Sequence, residues 1–186
     1  MTTWLVHGIR TADPTKTLGG LKGQLIERGV QTGIIDYGWI AVPVTNGKAR
    51  AAIRKHAKPG CTLVGYSNGG YAVWQEAERV RPRHVVLISP ALRADVEWPE
   101  CAESVTVYYS PGDWAVRLGG AYSFGVSLMP WRWGTPHGFG RMGVDGPATD
   151  DPRVTGIKMG EHVAHSWFDH PGKVEAIADT IQAKAG

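Results

Sequence analysis

Gly65-Tyr66-Ser67-Asn68-Gly69, followed by Gly70, sets one serine between glycines two positions away on either side. A serine hydroxyl is a weak nucleophile. Chemistry on it needs a base to take the proton and a third group to orient that base. The glycines have a physical reason: an attacking serine must stand clear on a sharp strand-to-helix turn, where larger residues would collide with neighbouring backbone. An apolar run, Thr62–Tyr66, enters the motif, and a helical pattern aligning Val73, Ala77 and Val80 leaves it. In a chain with 25 glycines the motif alone can be an ordinary Gly-Ser turn before a helix. The flanking strand and helix are what mark Ser67 as a nucleophile.

The orienting acid is best sought just past a strand end, where ligands bind in open parallel sheets. Asp113 meets that condition, following the run Val105–Tyr109 in the turn Ser110-Pro111-Gly112-Asp113. A turn-forming aspartate after Pro-Gly is the plainer reading of the same residue. Glu103 and Asp95 are alternatives, but neither sits just past a strand end. The base falls to His162, His165 or His170. His165 lies five residues before His170-Pro171, where the final helix begins, which leaves one turn of loop to bring its ring over Ser67. His170 suits a helix cap or an exposed position, and His162 competes with His165. Glu161, His162, His165, Asp169 and His170 are also metal-ligand types, but the serine already accounts for a histidine here.

Acyl transfer also needs preorganised backbone donors for the developing oxyanion. The N–H of Asn68, next to the nucleophile, supplies one. The second is assigned to the Ile9 N–H, because His7-Gly8-Ile9-Arg10 ends the first strand and Gly8 lets its backbone approach closely. His7 is then structural, holding that loop by hydrogen bonding.

These residues need a scaffold of alternating strands and helices. Short apolar runs at Trp4–Gly8, Gly33–Tyr37, Thr62–Tyr66, Val85–Ser89 and Val105–Tyr109 suit strands buried on both faces. Helical patterns separate them. Asp13 caps a helix beginning at Pro14, with Leu18, Leu21 and Leu25 on one face. A second spans about Asn46 to His56, a third follows Ser67, and the last begins at Pro171. The alternation predicts an α/β domain with a mostly parallel sheet and helices on both faces. Residues 114–160, rich in glycine and aromatic residues, break the rhythm and read as a long lid or binding loop, with one more strand possible at Val154–Met159.

The 186 residues fit one domain, 1–186, and the 42% hydrophobic and 20% charged composition is that of an ordinary globular chain. A net charge of +3 is too small to imply nucleic acid without a patch. Lys48, Arg50, Arg54, Lys55 and Lys58 read as the wet face of a helix. Cys61 and Cys101 suggest no disulfide framework and no metal site. There is no basic-then-apolar leader and no stretch near the ~18 apolar residues that cross a membrane. The expectation is a cytoplasmic protein without stable membrane insertion.

Leu5-Val6-His7-Gly8, the Gly65–Gly70 turn, the strand leading to Asp113, and the stretch from His165 to Ile181 together resemble the α/β-hydrolase superfamily, in the family's order along nearly the whole chain. The resemblance implies a minimal α/β-hydrolase fold without the family's first strands. It also lacks a large cap, since only Pro90–Cys101 connects the fourth run to the fifth. It implies a Ser67, Asp113 and His165 triad that hydrolyses a carboxylic ester through an acyl-enzyme, with no cofactor. Amide or thioester cleavage uses the same residues, and a non-catalytic binding protein on this scaffold is the reading from another class. A weaker similarity to cutinases and phage mycolyl-arabinogalactan esterases suggests a small or lipid-like ester reached across an exposed surface. The cutinase disulfide framework has no counterpart here.

Overall fold

The computed structural model describes residues 1–8, 13–38, 46–118 and 139–185. In chain order these form β1 (Thr3–Val6), α1 (Pro14–Glu27), β2 (Thr32–Ile35), α2 (Gly47–His56), β3 (Thr62–Tyr66) and α3 (Asn68–Val80). There follow β4 (His84–Ile88), β5 (Ser104–Tyr109), a short α4 (Met142–Asp145), β6 (Val154–Lys158), a 3-10 turn (Trp167–Asp169) and α5 (Pro171–Ala185). The six strands make one sheet in the order β2-β1-β3-β4-β5-β6. Every pairing is parallel, so the sheet is wholly rather than mostly parallel.

Alternation along the buried strands divides the core into two layers. Leu63, Val85, Leu87, Val105 and Val107 face α2 and α3, where they meet Ile53, Val73, Ala77 and Val80. Val64, Tyr66, Val86, Ile88 and Tyr108 face the other way, onto Leu18, Leu21 and Leu25 of α1 and Val174, Ile177 and Ile181 of α5. Successive side chains of a strand point to opposite faces, so apolar residues at every position demand helices on both sides. Asp13 caps α1 as expected, its carboxylate accepting from the Thr15 N–H at 3.0 Å, with Pro14 opening the helix.

Three expectations need correction. The first strand stops at Val6, because His7 and Gly8 turn toward Ser67; the second stops at Ile35, where Gly38 donates to the Asp36 carboxylate and adopts φ 75°. The basic face of α2 is not all solvated: Arg50 and Arg54 both turn to the fully buried Glu76 carboxylate of α3, at 2.5 and 2.7 Å. Within residues 114–160 the strand anticipated at Val154–Met159 is β6, and a helical turn at 114–118 and α4 are additions to the sequence reading. Residues 119–138 of that loop lie outside the described residues. Cys61 and Cys101 carry free thiols, and burial pushes the Cys61 thiol up to about 11. Among the described residues no helix is long and apolar enough to cross a membrane.

Candidate active site

The chain leaves β1 for β2 on one side and leaves β2 for β3 on the other, so the crevice where the winding reverses lies between the carboxyl ends of β1 and β3. Gly8 follows β1 there and Ser67 follows β3. Ser67 has φ 54° and ψ −124°, a sparsely populated conformation for any residue with a Cβ. Its surroundings enforce it. The Ser67 N–H donates to the Ile88 carbonyl at 2.9 Å, and the Ser67 carbonyl accepts from the Gly70 and Ala91 N–H groups at 3.0 and 3.2 Å.

The glycines are accounted for one at a time. A Cβ at Gly65 would lie 2.5 Å from the Gly70 Cα, and one at Gly69 would lie 2.4 Å from the Val6 carbonyl oxygen and 2.5 Å from that of His7. One at Gly8 would come within 3.1 Å of the Ser67 Cβ. Backbone stored in this state costs about 1–3 kcal/mol. Ser67→Gly and Ser67→Ala both remove the hydroxyl, but only glycine relaxes the backbone. Ser67→Gly is therefore expected to unfold about 1 kcal/mol later than Ser67→Ala in urea, despite glycine's larger loss of chain entropy. Equal midpoints would mean that the turn is not strained.

Ser67, His165 and Asp113 come together. The His165 Nε2 is 3.0 Å from the Ser67 Oγ, and its Nδ1 is 2.8 Å from the Asp113 Oδ2. Asp113 is fully buried and its other oxygen accepts from the Val116 N–H at 3.0 Å. A buried carboxylate on Nδ1 fixes the tautomer, with Nδ1–H donating to Asp113 and Nε2 free to accept from the serine hydroxyl. Gly112 lets the acid turn touch the histidine loop, because a Cβ there would sit 2.5 Å from the Glu161 carbonyl oxygen. His165 is placed by its neighbours in sequence: Val163 and Trp167 on either side sink into the core beside α1 and α5.

The competing residues lie elsewhere. His162 and His170 are exposed. Glu103 pairs with Arg83 and Asp95 with Arg93, both at the surface. Among the described residues no group of three or more His, Cys, Asp or Glu side chains is arranged to hold a metal ion.

Asn68 opens α3, so its backbone N–H is one of those a helix leaves without an intrahelical acceptor. Its side chain is buried and donates to the Asn46 Oδ1 at 2.7 Å. Ile9, assigned as the second donor, lies outside the described residues. The residue before it is held firmly. The Gly8 carbonyl is met by the His7 Nδ1 at 2.7 Å and the Tyr37 hydroxyl at 2.9 Å. The two rings stack 3.9 Å apart. Burial lowers the His7 pKa below the ordinary histidine value, and Nε2 accepts from the Tyr37 N–H at 3.4 Å, which leaves the Nδ1–H to donate. Tyr37 and Asn46 escaped the sequence reading; neither sits at a recognisable spacing from Ser67.

No protein-family model matches the chain, and no curated protein matches it by sequence. Solved structures do match. The esterase domain of a Rhodothermus marinus protein superposes with a TM-score of 0.59 at 13% identity, over 98% of this chain and 84% of that one. A serine hydrolase without lid from Xanthomonas campestris gives 0.57 at 13% identity, over 98% and 80%. The mouse α/β hydrolase domain-containing protein 10 gives 0.61 at 12% identity, over 98% and 88%. At these identities the likeness speaks for architecture alone, and it agrees with the parallel sheet and the helices packed around it. The chain has the fold of the α/β hydrolases.

Proposed function

We propose that this protein is a serine hydrolase that cleaves carboxylic esters through an acyl-enzyme on Ser67. The observation that carries the reading is the continuous hydrogen-bonded line from Ser67 through His165 to the buried Asp113. Ser67 Oγ attacks the ester carbonyl carbon while His165 Nε2 takes its proton. The carbonyl oxygen becomes an oxyanion, facing the Asn68 N–H and, in this proposal, the Ile9 N–H. The tetrahedral intermediate collapses and breaks the bond to the alcohol oxygen, which receives the proton back from His165. Water then repeats the sequence on the acyl-serine: His165 takes a proton from water, the acid departs, and the proton returns to Ser67. Asp113 orients the imidazole and stabilises the imidazolium formed in each half.

An ester with an apolar portion suits the exposed apolar residues that follow the acid turn. Trp114 and Leu118, four residues apart on the helical turn that follows Asp113, are 63% and 61% exposed. They offer apolar surface beside the acid. The esterase activity named for the Rhodothermus domain agrees with this choice of substrate.

A fluorophosphonate probe is expected to modify native protein on Ser67 and to leave Ser67→Ala unlabelled. Absence of labelling on folded wild-type protein would refute the reading. A panel of p-nitrophenyl esters from acetate to palmitate then reads the preferred acyl length.

A further inference from the structure

We infer that Tyr66 is a positioning residue for the general base, its hydroxyl holding the His165 backbone so that the imidazole stays aligned with Ser67; this rests on the hydrolase reading above. Tyr66 is the last residue of β3 and directly precedes the nucleophile. Its hydroxyl donates to the His165 carbonyl at 2.9 Å, across 99 residues of sequence. Its ring lies 4.9 Å from the imidazole, tilted by 34°, and meets the edges of Trp167 and Phe168 at 6.0 and 6.2 Å. Among the described residues, no other hydrogen bond ties the backbone of residues 161–166 to the sheet.

The consequence is mechanical. The base sits on a loop beyond β6, whereas the nucleophile sits on a central strand. Without a tie, motion of that loop would change the Nε2–Oγ distance directly. Tyr66 fixes the base to the same strand end that carries Ser67, so the two reacting groups share one support. The phenol is suited to a permanent tie. Burial, with the nearby Asp113 and Asp169 carboxylates, raises its pKa well above the ordinary tyrosine value, so it remains a donor throughout the working pH range.

Tyr66→Phe keeps the ring and deletes only the tie. Misplacement by an ångström can cost about 100-fold in rate. Loss of one tether among several contacts is expected to lower kcat by about 10-fold, leave KM within about twofold, and slow fluorophosphonate labelling by the same factor as kcat. In a His165→Ala background the substitution should add nothing, because Tyr66 acts only through that histidine. A second readout needs no turnover: the low-field proton signal of the His165 Nδ1–H in NMR should broaden or vanish in Tyr66→Phe.

Unchanged kcat and labelling rate in Tyr66→Phe, with wild type labelling normally, would overturn this inference and leave the hydrolase reading intact. So would a further rate loss in the His165→Ala background. If wild type itself fails to label, the hydrolase reading falls, and the Nδ1–H signal alone decides: its persistence in Tyr66→Phe overturns the positioning role, and its loss supports it.

Discussion

His165→Ala is expected to lower turnover of an activated ester by about 10⁴- to 10⁶-fold, with His162→Ala retaining most of it. The asymmetry follows from geometry. The His165 ring bridges Ser67 and Asp113 at 3.0 and 2.8 Å, so in the proposed mechanism its loss would remove the proton acceptor in both halves of the reaction. His162 is exposed, and its neighbour Glu161 is already engaged by Lys158. The loss should appear in kcat and kcat/KM together, as for a group whose contribution is made in the transition state. His165 is only half-buried, so urea unfolding of His165→Ala should stay close to wild type, separating lost chemistry from lost structure. A collapse of turnover in His162→Ala, with His165→Ala active, would move the base to His162.

Gly69→Ala should produce the largest change in stability, a loss of about 3 kcal/mol or more. The added methyl would meet two backbone oxygens, those of Val6 and His7, at 2.4 and 2.5 Å. Neither can rotate away as a side chain would. Relief requires β1 and α3 to separate, and that opens the crevice as well as the core. Against a total stability of about 5–15 kcal/mol, such a change leaves a marginal or unfolded protein. Gly20→Ala is the internal comparison. Gly20 is exposed in the interior of α1 with nothing within 4 Å of a new Cβ, so alanine should stabilise by about 1 kcal/mol through helix propensity. Urea midpoints of the two variants read the difference; equal and small effects would mean that β1 and α3 are not in close contact.

Much of this arrangement is legible in the sequence because its causes are local. Five apolar runs and four helical patterns announce strands and helices, since fully buried parallel strands leave little choice of residue. Asp13-Pro14 marks a helix start by capping chemistry alone. The glycines at 65 and 69 report a backbone contact that no other residue would permit. What escaped is long-range and polar. Glu76 pairs with Arg50 and Arg54, which stay partly exposed, and no period along α2 reveals that a buried carboxylate on α3 waits for them. Arg153 donates to the Trp98, Pro99 and Ala102 carbonyls, fixing the β4–β5 connection through contacts that sequence distance conceals. Gly140 and Gly143 pack against the backbone of Arg93 and Ser89, so part of the apparent loop is a seam closing the end of β4. The Tyr66 hydroxyl belongs to the same class, since an aromatic residue before the serine reads as core until its partner is known.

The sheet's order gives the molecule an uneven resistance to opening. Ser67 stands at the end of β3, flanked by β1 and β4, while the loop bearing His165 begins at β6, an edge strand whose side chains are all half-buried or exposed. Outer strands fray at a fraction of the free energy needed to unfold a core. A brief detachment of β6 would withdraw the imidazole from a serine whose turn remains folded. In the proposed mechanism such an opening would cost activity before it cost the fold, and the hydrogen bond from Tyr66 to the His165 carbonyl links the two.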